Sequence, residues 1–454
     1  MDTDEQALFQ SDSDIDFSFT SCTSAATFTT SARTSLARSS LTLSFNESRL
    51  STLTIPSSSA APNLLPRPHR QFDPHWSSIK AATTLSSDGK LHLRHLKLLR
   101  LIGAGNLGRV FLCRLRDDDG DSASLFALKV VDNNSLSSKQ LSQVKMEAEI
   151  LSVLDHPFLP TLYSHIEVSH YTCFLIDYCS GGDLHSLLRK QPTNRLPLRA
   201  VKFFAAEVLV ALEYLHAIGI VYRDLKPENI LLREDGHIML SDFDLCFKAE
   251  VIPSLENNYA AGIGTNRRRR RCSCFGRDGE VEVKSEFVAE PTAAFSRSCV
   301  GTHEYLAPEL VSGNGHGNGV DWWAFGVLIY EMLYGTTPFK GGSKESTLRN
   351  IASSRQVRFP EEEEGEKAEA RDLIEKLLVK DPRRRLGCAR GATDVKRHPF
   401  FDGIKWALLR SYKAPLVRKG KKSSHVTQHV QKRRRFSRWW KLVFPSHKKK
   451  KLIL

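Results

Sequence analysis

The sequence predicts an α+β fold in which a β-rich segment, at about residues 94–177, precedes a mainly helical segment, at about residues 180–401. Two observations indicate this order. Near residue 105 a glycine-rich turn stands between runs of β-branched and aromatic residues, which are typical of strands bounded by a turn. From Val201 to His216 the apolar residues recur at helical spacing, as in a helix that packs against a core.

The glycine-rich turn holds Gly103, Gly105 and Gly108 in the order G-x-G-x-x-G. Dinucleotide-binding folds use the same spacing, but they need a helix directly after the glycines and an acidic residue about twenty positions further on. Here Val110–Cys113 continues as a strand, and the next strand delivers Lys129 instead of an acid. Because glycines let a backbone approach phosphate groups closely, the pattern predicts a loop that covers nucleotide phosphates beside Lys129.

The next element is an amphipathic helix, predicted from about Lys139 to Val153. Its Glu147 is placed to pair with Lys129 and to hold that lysine against the phosphates. Glu149 fits a solvent-exposed position better.

The most informative stretch is Tyr222–Asn229, which reads Y-R-D-L-K-P-E-N. Asp224 can accept the proton of an attacking hydroxyl, Asn229 can hold a metal ion, and Lys226 can lie near a moving phosphate. The alternative is a polar connection between a helix and a strand, without a function. That alternative does not explain why all three residue types occur at this spacing.

Later residues complete the pattern. Asp242 begins the triplet D-F-D after a short apolar run and is predicted to bind Mg²⁺. Asp321 precedes two tryptophans and is predicted to anchor the Tyr222–Asn229 loop from a buried helix. Glu309 of A-P-E is expected to pair with Arg385, and a buried pair of this kind is structural.

Together these motifs resemble a eukaryotic Ser/Thr protein kinase of the AGC group over about residues 98–401. Within that group the D-F-D triplet and a long insert in the activation segment resemble the plant branch that contains PINOID and the WAG kinases, and two stretches near the N-terminus resemble the WAG kinases most. The stretches that carry the resemblance are Tyr222, His156–Leu159, Asp242–Asp244, Gly301–Glu309, Ser35–Phe45 and His75–Leu85.

The resemblance implies a bilobal eukaryotic protein kinase fold, with a small β-rich lobe and a large α-helical lobe, that binds ATP and Mg²⁺ between the lobes. It implies catalytic roles for Asp224 and Lys226, and metal-binding roles for Asn229 and Asp242. The implied nucleotide contacts are Ile102, Gly103, Ala104, Gly105, Asn106, Leu107, Gly108, Arg109, Val110, Lys129, Glu147, Asp177, Cys179 and Asp183.

The resemblance also implies a regulatory serine. Ser298 lies four residues before Thr302 and matches the activation-loop phosphosite of AGC kinases. A phosphate on it is expected to meet Arg223 and to come from an upstream AGC-activating kinase or from autophosphorylation. Ser296 is the alternative site.

Substrate recognition is implied in the same way. Asp183, Glu228 and Glu331 match positions that bind arginine ahead of the phosphorylated residue, so a basophilic substrate preference is expected. Thr302 is expected to bond Asp224.

Composition divides the chain into three parts, at residues 1–93, 94–401 and 402–454. Ser and Thr fill 25 of the first 60 positions, so a mostly disordered head is predicted, either a phosphorylatable arm or an inert one. The sequence contains no run of eighteen apolar residues, so no membrane-spanning helix is predicted. Nine scattered cysteines fit reduced intracellular thiols better than a disulfide framework.

The activation segment carries an insert at about residues 250–292. Asp242 and Glu309 are 67 positions apart, which is long for such a segment, and loops of this kind are functional or disordered. Five arginines, 267–271, suit an anionic membrane, nuclear import, nucleic acid or simple solvation. Cys272 and Cys274 beside them are either palmitoylated or idle.

The residues after 401 are predicted to be an AGC-type extension that ends in a basic and aromatic tail. Fifteen of the 65 lysines and arginines lie between Lys413 and Leu454, where no acidic residue occurs. The rest of the chain holds the other 50 basic residues and all 51 acidic residues. The core is thus nearly neutral, and no specific nucleic-acid partner is expected. Basic residues mixed with Trp439, Trp440 and Phe444 favour an anionic membrane, with nuclear import or a passive tail as alternatives. Phe436–Trp440 is also an imperfect relative of the hydrophobic motif that ends many AGC kinases.

The sequence therefore predicts an active Ser/Thr kinase at the cytoplasmic face of the plasma membrane, also in the cytoplasm and the nucleus. The resemblance implies that its substrates are PIN-type auxin efflux carriers in polar auxin transport. The alternatives are a membrane-bound pseudokinase scaffold and a nucleic-acid-binding protein. The intact catalytic set argues against the first, and the neutral core argues against the second.

Overall fold

A computed structural model describes residues 73–84, 86–105, 107–116, 124–259, 283–360, 365 and 367–415. Several predictions lie outside the described residues. They concern the Ser/Thr-rich head, Asn106, Arg267–Arg271, Cys272, Cys274 and the chain after residue 415.

The small lobe is built on one five-stranded antiparallel sheet with the strand order β1-β2-β3-β5-β4. Its strands are β1 (Leu96–Ala104), β2 (Arg109–Leu115), β3 (Leu125–Asp132), β4 (Leu162–Val168) and β5 (Tyr171–Asp177). The predicted helix is present as α2 (Ser138–Val153). It begins at a capping box in which Ser137 and Gln140 satisfy each other's backbone N–H groups.

A further helix, α1 (Pro74–Thr84), lies ahead of the predicted domain boundary at residue 94 and packs on the small lobe. Ile79 of α1 is buried in the same apolar cluster as Phe126. The Tyr163 hydroxyl is 2.9 Å from Asp73 Oδ2 and 3.1 Å from Asp177 Oδ1. The domain therefore includes α1, some twenty residues ahead of Arg94, since apolar and polar contacts both fix this helix to the sheet.

The large lobe is mainly helical, as predicted. Its helices are α3 (Leu184–Arg189), α4 (Leu198–Ala217), α5 (Pro308–Val311), α6 (Gly319–Tyr334), α7 (Lys344–Ala352), α8 (Ala368–Leu377) and α9 (Ala392–Lys396). Nearly every residue of α6 is buried. A helix that is apolar all round lies in the centre of a core, so α6 is a rigid base beneath the functional loops.

Two short antiparallel ribbons frame those loops. One pairs β6 (Ile220–Val221) with β9 (Phe247–Lys248), and the other pairs β7 (Ile230–Leu232) with β8 (Ile238–Leu240). The Tyr222–Asn229 loop runs from β6 to β7, and the Asp242–Asp244 triplet runs from β8 to β9. The two segments that the sequence singles out are therefore held side by side.

The ends of the predicted insert form a third ribbon. Strand β10 (Ser254–Tyr259) pairs with β11 (Val283–Val288) from Ser254↔Val288 to Tyr259↔Val283. These two ends of the insert therefore have regular structure, because backbone pairing joins them. Among the described helices, none combines the length and the hydropathy needed to cross a membrane.

Candidate active site

A cleft of about 520 Å³ lies between the two lobes. The residues that line it include most of the predicted nucleotide contacts, namely Ile102, Gly103, Ala104, Gly105, Leu107, Gly108, Val110, Lys129, Glu147, Asp177, Cys179 and Asp183. Arg109 does not line the cleft, because its side chain is exposed at the start of β2. The predicted role of Arg109 in nucleotide binding stays a prediction.

The glycine-rich turn joins β1 to β2 and covers this cleft. The Gly105 N–H donates to the Gly108 carbonyl over 2.9 Å, which closes the turn. A Cβ on Gly108 would lie 2.5 Å from the carbonyl oxygen of Val130. Only glycine allows β2 to run this close to β3 at that point.

Lys129 and Glu147 form the predicted ion pair. Lys129 Nζ donates to both carboxylate oxygens of Glu147, over 2.6 and 2.8 Å, and lies 3.2 Å from Asp242 Oδ1. Burial lowers the pKa of Lys129, but the carboxylates of Glu147 and Asp242 outweigh it and raise that pKa overall. Lys129 is therefore a fixed cation at the inner end of the cleft.

The loop between β6 and β7 brings four predicted residues together. Lys226 Nζ is 2.7 Å from Asp224 Oδ2 and 3.0 Å from Thr302 Oγ1. Asn229 Nδ2 donates to Asp224 Oδ2 over 2.8 Å. Thr302 Oγ1 also donates to Asp224 Oδ1 over 3.4 Å, which agrees with its predicted position. Burial raises the pKa of Asp224, while the hydrogen bonds from Lys226 and Asn229 act against it.

Asp321 of α6 anchors this loop, as predicted. It is fully buried, and its carboxylate accepts the N–H groups of Tyr222 (2.8 Å) and Arg223 (2.7 Å). Arg223 has a φ of 68°, a left-handed conformation that side chains other than glycine seldom adopt. The anchored backbone keeps Arg223 in that conformation.

The predicted metal ligands lie on adjacent segments. The Ser241 N–H donates to the Asn229 carbonyl over 2.9 Å, which joins the residue before Asp242 to the end of the loop. The Asp242 carboxylate is partly exposed to the cleft. A carboxylate oxygen and an amide oxygen are the donors that Mg²⁺ prefers, so Asp242 and Asn229 suit that ion.

The two candidate phosphosites of the activation segment have different contacts. Arg223 Nη1 is 3.2 Å from Ser296 Oγ, whereas Ser298 is exposed and contributes its backbone N–H to the same Ser296 hydroxyl over 3.3 Å. The serine that meets Arg223 is therefore the alternative residue, Ser296.

The three predicted recognition carboxylates have different partners. Asp183 caps α3 by accepting from the Ser186 N–H over 2.6 Å. Glu331 accepts from the Tyr305 hydroxyl over 2.5 Å, and burial raises its pKa, with Glu228 adding to the rise. Glu228 is about half exposed. Asp183 and Glu228 both line the cleft and give it an acidic surface, whereas Glu331 is partly buried.

The large lobe also holds the predicted pair of Arg385 and Glu309, with nitrogen–oxygen distances of 2.7 and 2.9 Å. Sequence reasoning missed two other contacts. Asp177 accepts from the Thr161 N–H over 2.7 Å and from the Tyr163 hydroxyl, and its Oδ1 atom lies 3.5 Å from Arg233 Nη1 of the large lobe. Glu290 is buried against His216. A single acid inside a long insert carries no spacing signal, so only the buried histidine at the end of a helix could have pointed to it.

Known proteins match this chain over most of its length. A model of the protein kinase domain matches residues 96–265 and 275–401. The chain is 65% identical over 442 residues to serine/threonine-protein kinase WAG1 of Arabidopsis thaliana, covering 95% of this chain and 92% of that protein. It is 62% identical over 460 residues to serine/threonine-protein kinase WAG2 of the same plant, covering 97% of this chain and 92% of that protein. Protein kinase PINOID of Oryza sativa subsp. japonica is 47% identical to it over 429 residues, covering 90% of this chain and 87% of that protein.

The two lobes, the cleft and the matched domain define a protein kinase. The chain belongs to the protein kinase domain family and, within it, to the PINOID/WAG branch of the plant AGC kinases. It is a Ser/Thr protein kinase, and the predicted family, fold class and enzyme class are confirmed.

Proposed function

We propose that this kinase transfers the γ-phosphate of ATP to serine or threonine in arginine-bearing protein segments, with Asp224 as the residue that orients the acceptor hydroxyl. One observation carries the proposal: Asp224, Lys226, Asn229 and Thr302 converge within hydrogen-bond distance. Most of the catalysis in phosphoryl transfer comes from positioning and electrostatics, and this cluster supplies both.

Each side chain has a separate task in this proposal. Lys129, fixed by Glu147, holds the α- and β-phosphates under the glycine-rich turn. Lys226 lies beside Asp224 and stabilises negative charge on the phosphoryl group as it moves. Asp242 and Asn229 hold Mg²⁺, which neutralises charge on the phosphates when it is bound. The same intact set weighs against a pseudokinase scaffold.

The substrate preference rests on the acidic surface. Asp183 and Glu228 both line the cleft, and the charge of Glu228 adds to the rise in the pKa of Glu331. Arginine binds carboxylates through paired hydrogen bonds, which lysine cannot match. A substrate with arginine ahead of its serine would place a guanidinium group against these carboxylates.

The experiment compares two peptides in a phosphotransfer assay with the full-length kinase. One peptide carries arginine ahead of its serine, and the other carries glutamine at the same positions. We expect kcat/KM to favour the arginine peptide by about a hundredfold, as for a charged pair with one partner removed. Glu228→Gln should reduce that ratio. Equal rates on both peptides would remove the basophilic proposal, and no transfer to any acceptor would favour the scaffold.

We propose PIN-type auxin efflux carriers as the protein substrates, and thus a role in polar auxin transport. Support comes from the family resemblance alone. A cytoplasmic carrier loop with arginine ahead of its serines is the direct test. Labelling of those serines is expected, and loss of labelling when the arginines are replaced should accompany it. An unlabelled loop would contradict this choice of substrate.

We also propose that phosphorylation in the activation segment, by an upstream kinase or by autophosphorylation, raises activity. Ser298 matches the family position, while Ser296 lies against Arg223, whose guanidinium suits a phosphate. Mass spectrometry of active protein, together with Ser296→Ala and Ser298→Ala, separates the two sites. Full activity of both variants would contradict the proposed switch.

A final proposal concerns location. We propose that the tail from Lys413 to Leu454 attaches the kinase to an anionic membrane, because basic residues gain about 1 kcal/mol each near such a surface and tryptophan favours the interface. Cosedimentation with phosphatidylserine vesicles, but not with neutral vesicles, is expected at low salt. Replacing Trp439 and Trp440 by alanine should weaken it. Failure to bind anionic vesicles would favour nuclear import or a passive tail.

A further inference from the structure

Glu290 is a buried acid that the proposed mechanism does not use. It follows β11, inside the segment predicted as the activation-segment insert, and only 6% of the residue is exposed. Its Oε2 atom is 2.8 Å from His216 Nδ1 and accepts from Asn318 Nδ2 over 2.9 Å. The protein thus carries an acid from the insert into the centre of the large lobe.

The contacts of His216 continue toward the catalytic loop. His216, at the end of α4, is fully buried, and its Nε2 atom is 2.9 Å from Asp321 Oδ2. That same oxygen accepts from the Tyr222 N–H, and the other oxygen accepts from the Arg223 N–H. An unbroken series of buried polar contacts therefore runs from Glu290 to the backbone just before Asp224.

We propose that Glu290 is a positioning residue for the catalytic loop, and that it acts by keeping His216 positively charged and hydrogen-bonded to Asp321. The inference rests on the proposed role of Asp224 in transfer. The end of the insert would thus support the active site, although Glu290 and Asp224 are far apart in the sequence.

The electrostatics favour this assignment. Burial lowers the pKa of His216, but the carboxylates of Glu290 and Asp321 outweigh burial and raise the pKa to about 10. These two acids are the charged groups that face the imidazole, from the end of β11 and from α6, and the ring of Trp322 packs beside it. An imidazolium donates from both nitrogens, so its charge holds both carboxylates in place.

The fold makes room for this acid at one glycine. Gly391, at the start of α9, has a φ of 59°, and a Cβ on it would lie 1.6 Å from Glu290 Oε1. Any other residue there would collide with the carboxylate. The position of Glu290 is therefore built into the packing of the large lobe.

The test compares Glu290→Gln with a matched control, Glu207→Gln. Glu207 is also a buried acid that bonds a buried histidine, His237, and it accepts from the Ile238 N–H over 2.9 Å, away from Asp321. Amide hydrogen exchange on the full-length protein needs no catalysis. We expect Glu290→Gln to speed exchange at Tyr222 and Arg223, and Glu207→Gln to speed it at Ile238 instead.

Kinetics give the second measurement. A small misplacement of a catalytic group can lower a rate about a hundredfold, so we expect kcat of Glu290→Gln to fall between about tenfold and a hundredfold, with KM for ATP little changed. Because His216 then loses one of the two acids that keep it charged, kcat relative to wild type should fall further as pH rises from about 6 to about 9. Glu290→Asp retains the charge and should retain more of kcat than Glu290→Gln.

The outcomes separate the inference from the proposed function. If Glu290→Gln leaves exchange at Tyr222 and Arg223 unchanged, the inference is wrong. It is also wrong if the isosteric glutamine preserves kcat better than aspartate, since packing alone would then explain the residue. If the exchange pattern holds but the wild-type kinase transfers no phosphate, the proposed function fails and the positioning contact remains. If Glu290→Gln does not fold, the exchange and kcat of Glu290→Asp decide the matter by the same criteria.

Discussion

At the residue scale, the active site is a set of charges that hold one another in place. Lys129 is fixed by Glu147, and Asp224 is fixed by Lys226 and Asn229. Asp321 holds the backbone just before Asp224. Buried charges are costly unless they are paired. The pairing explains why each of these side chains has a defined position.

The first prediction concerns the pair of Lys129 and Glu147. Glu147→Gln leaves Lys129 with Asp242 as its charged partner, so the lysine should turn away from the phosphates, and kcat/KM for ATP should fall about a hundredfold. Glu149→Gln is the control, because Glu149 lies two positions away on α2, more than half exposed, and pairs with Lys248 on the surface. Exposed pairs contribute about 0–1 kcal/mol, so this control should behave like wild type. Equal losses in the two variants would contradict the assigned role of Glu147.

The second prediction concerns Asp244, the last residue of the D-F-D triplet. Burial raises the pKa of Asp244 to about 7, and the neighbouring Asp242 adds to the rise. A carboxyl whose pKa is raised by folding favours the folded state at low pH and loses that contribution as pH rises from about 4 to about 7. Asp244→Asn should therefore raise Tm of the nucleotide-free protein above pH 7 and have little effect near pH 4. A fall in Tm above pH 7 would show that the charged Asp244 stabilises this loop instead.

At the element scale, short strands and one central helix carry the functional loops. The β6–β9 and β7–β8 ribbons hold the catalytic loop next to the Asp242–Asp244 segment, and α6 supplies Asp321 from below. Ribbons of two or three residues are not stable alone. Their geometry is set by the large-lobe core on which they lie.

The third prediction concerns α1, which extends the small lobe ahead of its predicted boundary. Ile79→Ala removes a buried side chain from the cluster around Phe126 and should cost about 2–4 kcal/mol in the free energy of unfolding. Lys80→Ala, at the next and exposed position, should change it by less than about 0.5 kcal/mol. Chemical denaturation of both variants measures the difference. If Ile79→Ala matched Lys80→Ala, α1 would not be part of the cooperative domain.

The sequence predicted those elements whose pattern lies within a few neighbouring residues. Spacing alone predicted α2, most of α4 and the loop from Tyr222 to Asn229. It missed α1, whose apolar face has one buried residue, Ile79, and whose other contacts come from distant strands. It also missed the pairing of β10 with β11, because the two strands are separated by more than twenty residues and share no turn signal.

The same reasoning separates the parts of the site. Lys129, Asp224 and Asp242 stand in motifs whose spacing encodes their chemistry, so the sequence could bring them together. Ser296 and Glu290 depend on the path of the backbone through the activation segment, which no local pattern specifies. Sequence position alone favoured Ser298, whereas the folded chain turns Ser296 toward Arg223.

At the scale of the whole molecule, the catalytic domain and the tail have different electrostatic characters. The chain before Lys413 has nearly equal numbers of acidic and basic residues, while the tail carries the excess of positive charge. A nearly neutral core with an acidic surface at Asp183 and Glu228 fits the proposed basic peptide substrate. The basic tail suits a separate, anionic partner.

The central claim is that the cluster around Asp224 transfers phosphate from ATP to a protein hydroxyl. The most direct measurement is incorporation of labelled γ-phosphate into an arginine-bearing peptide by wild type and by Asp224→Asn, with nucleotide affinity measured on both. Loss of a catalytic acid–base group costs about 10²–10⁴-fold in rate, so we expect Asp224→Asn to lose transfer by that factor and to keep its affinity for ATP. Transfer by Asp224→Asn at the wild-type rate, or no transfer by the wild type with its activation segment phosphorylated, would contradict the claim.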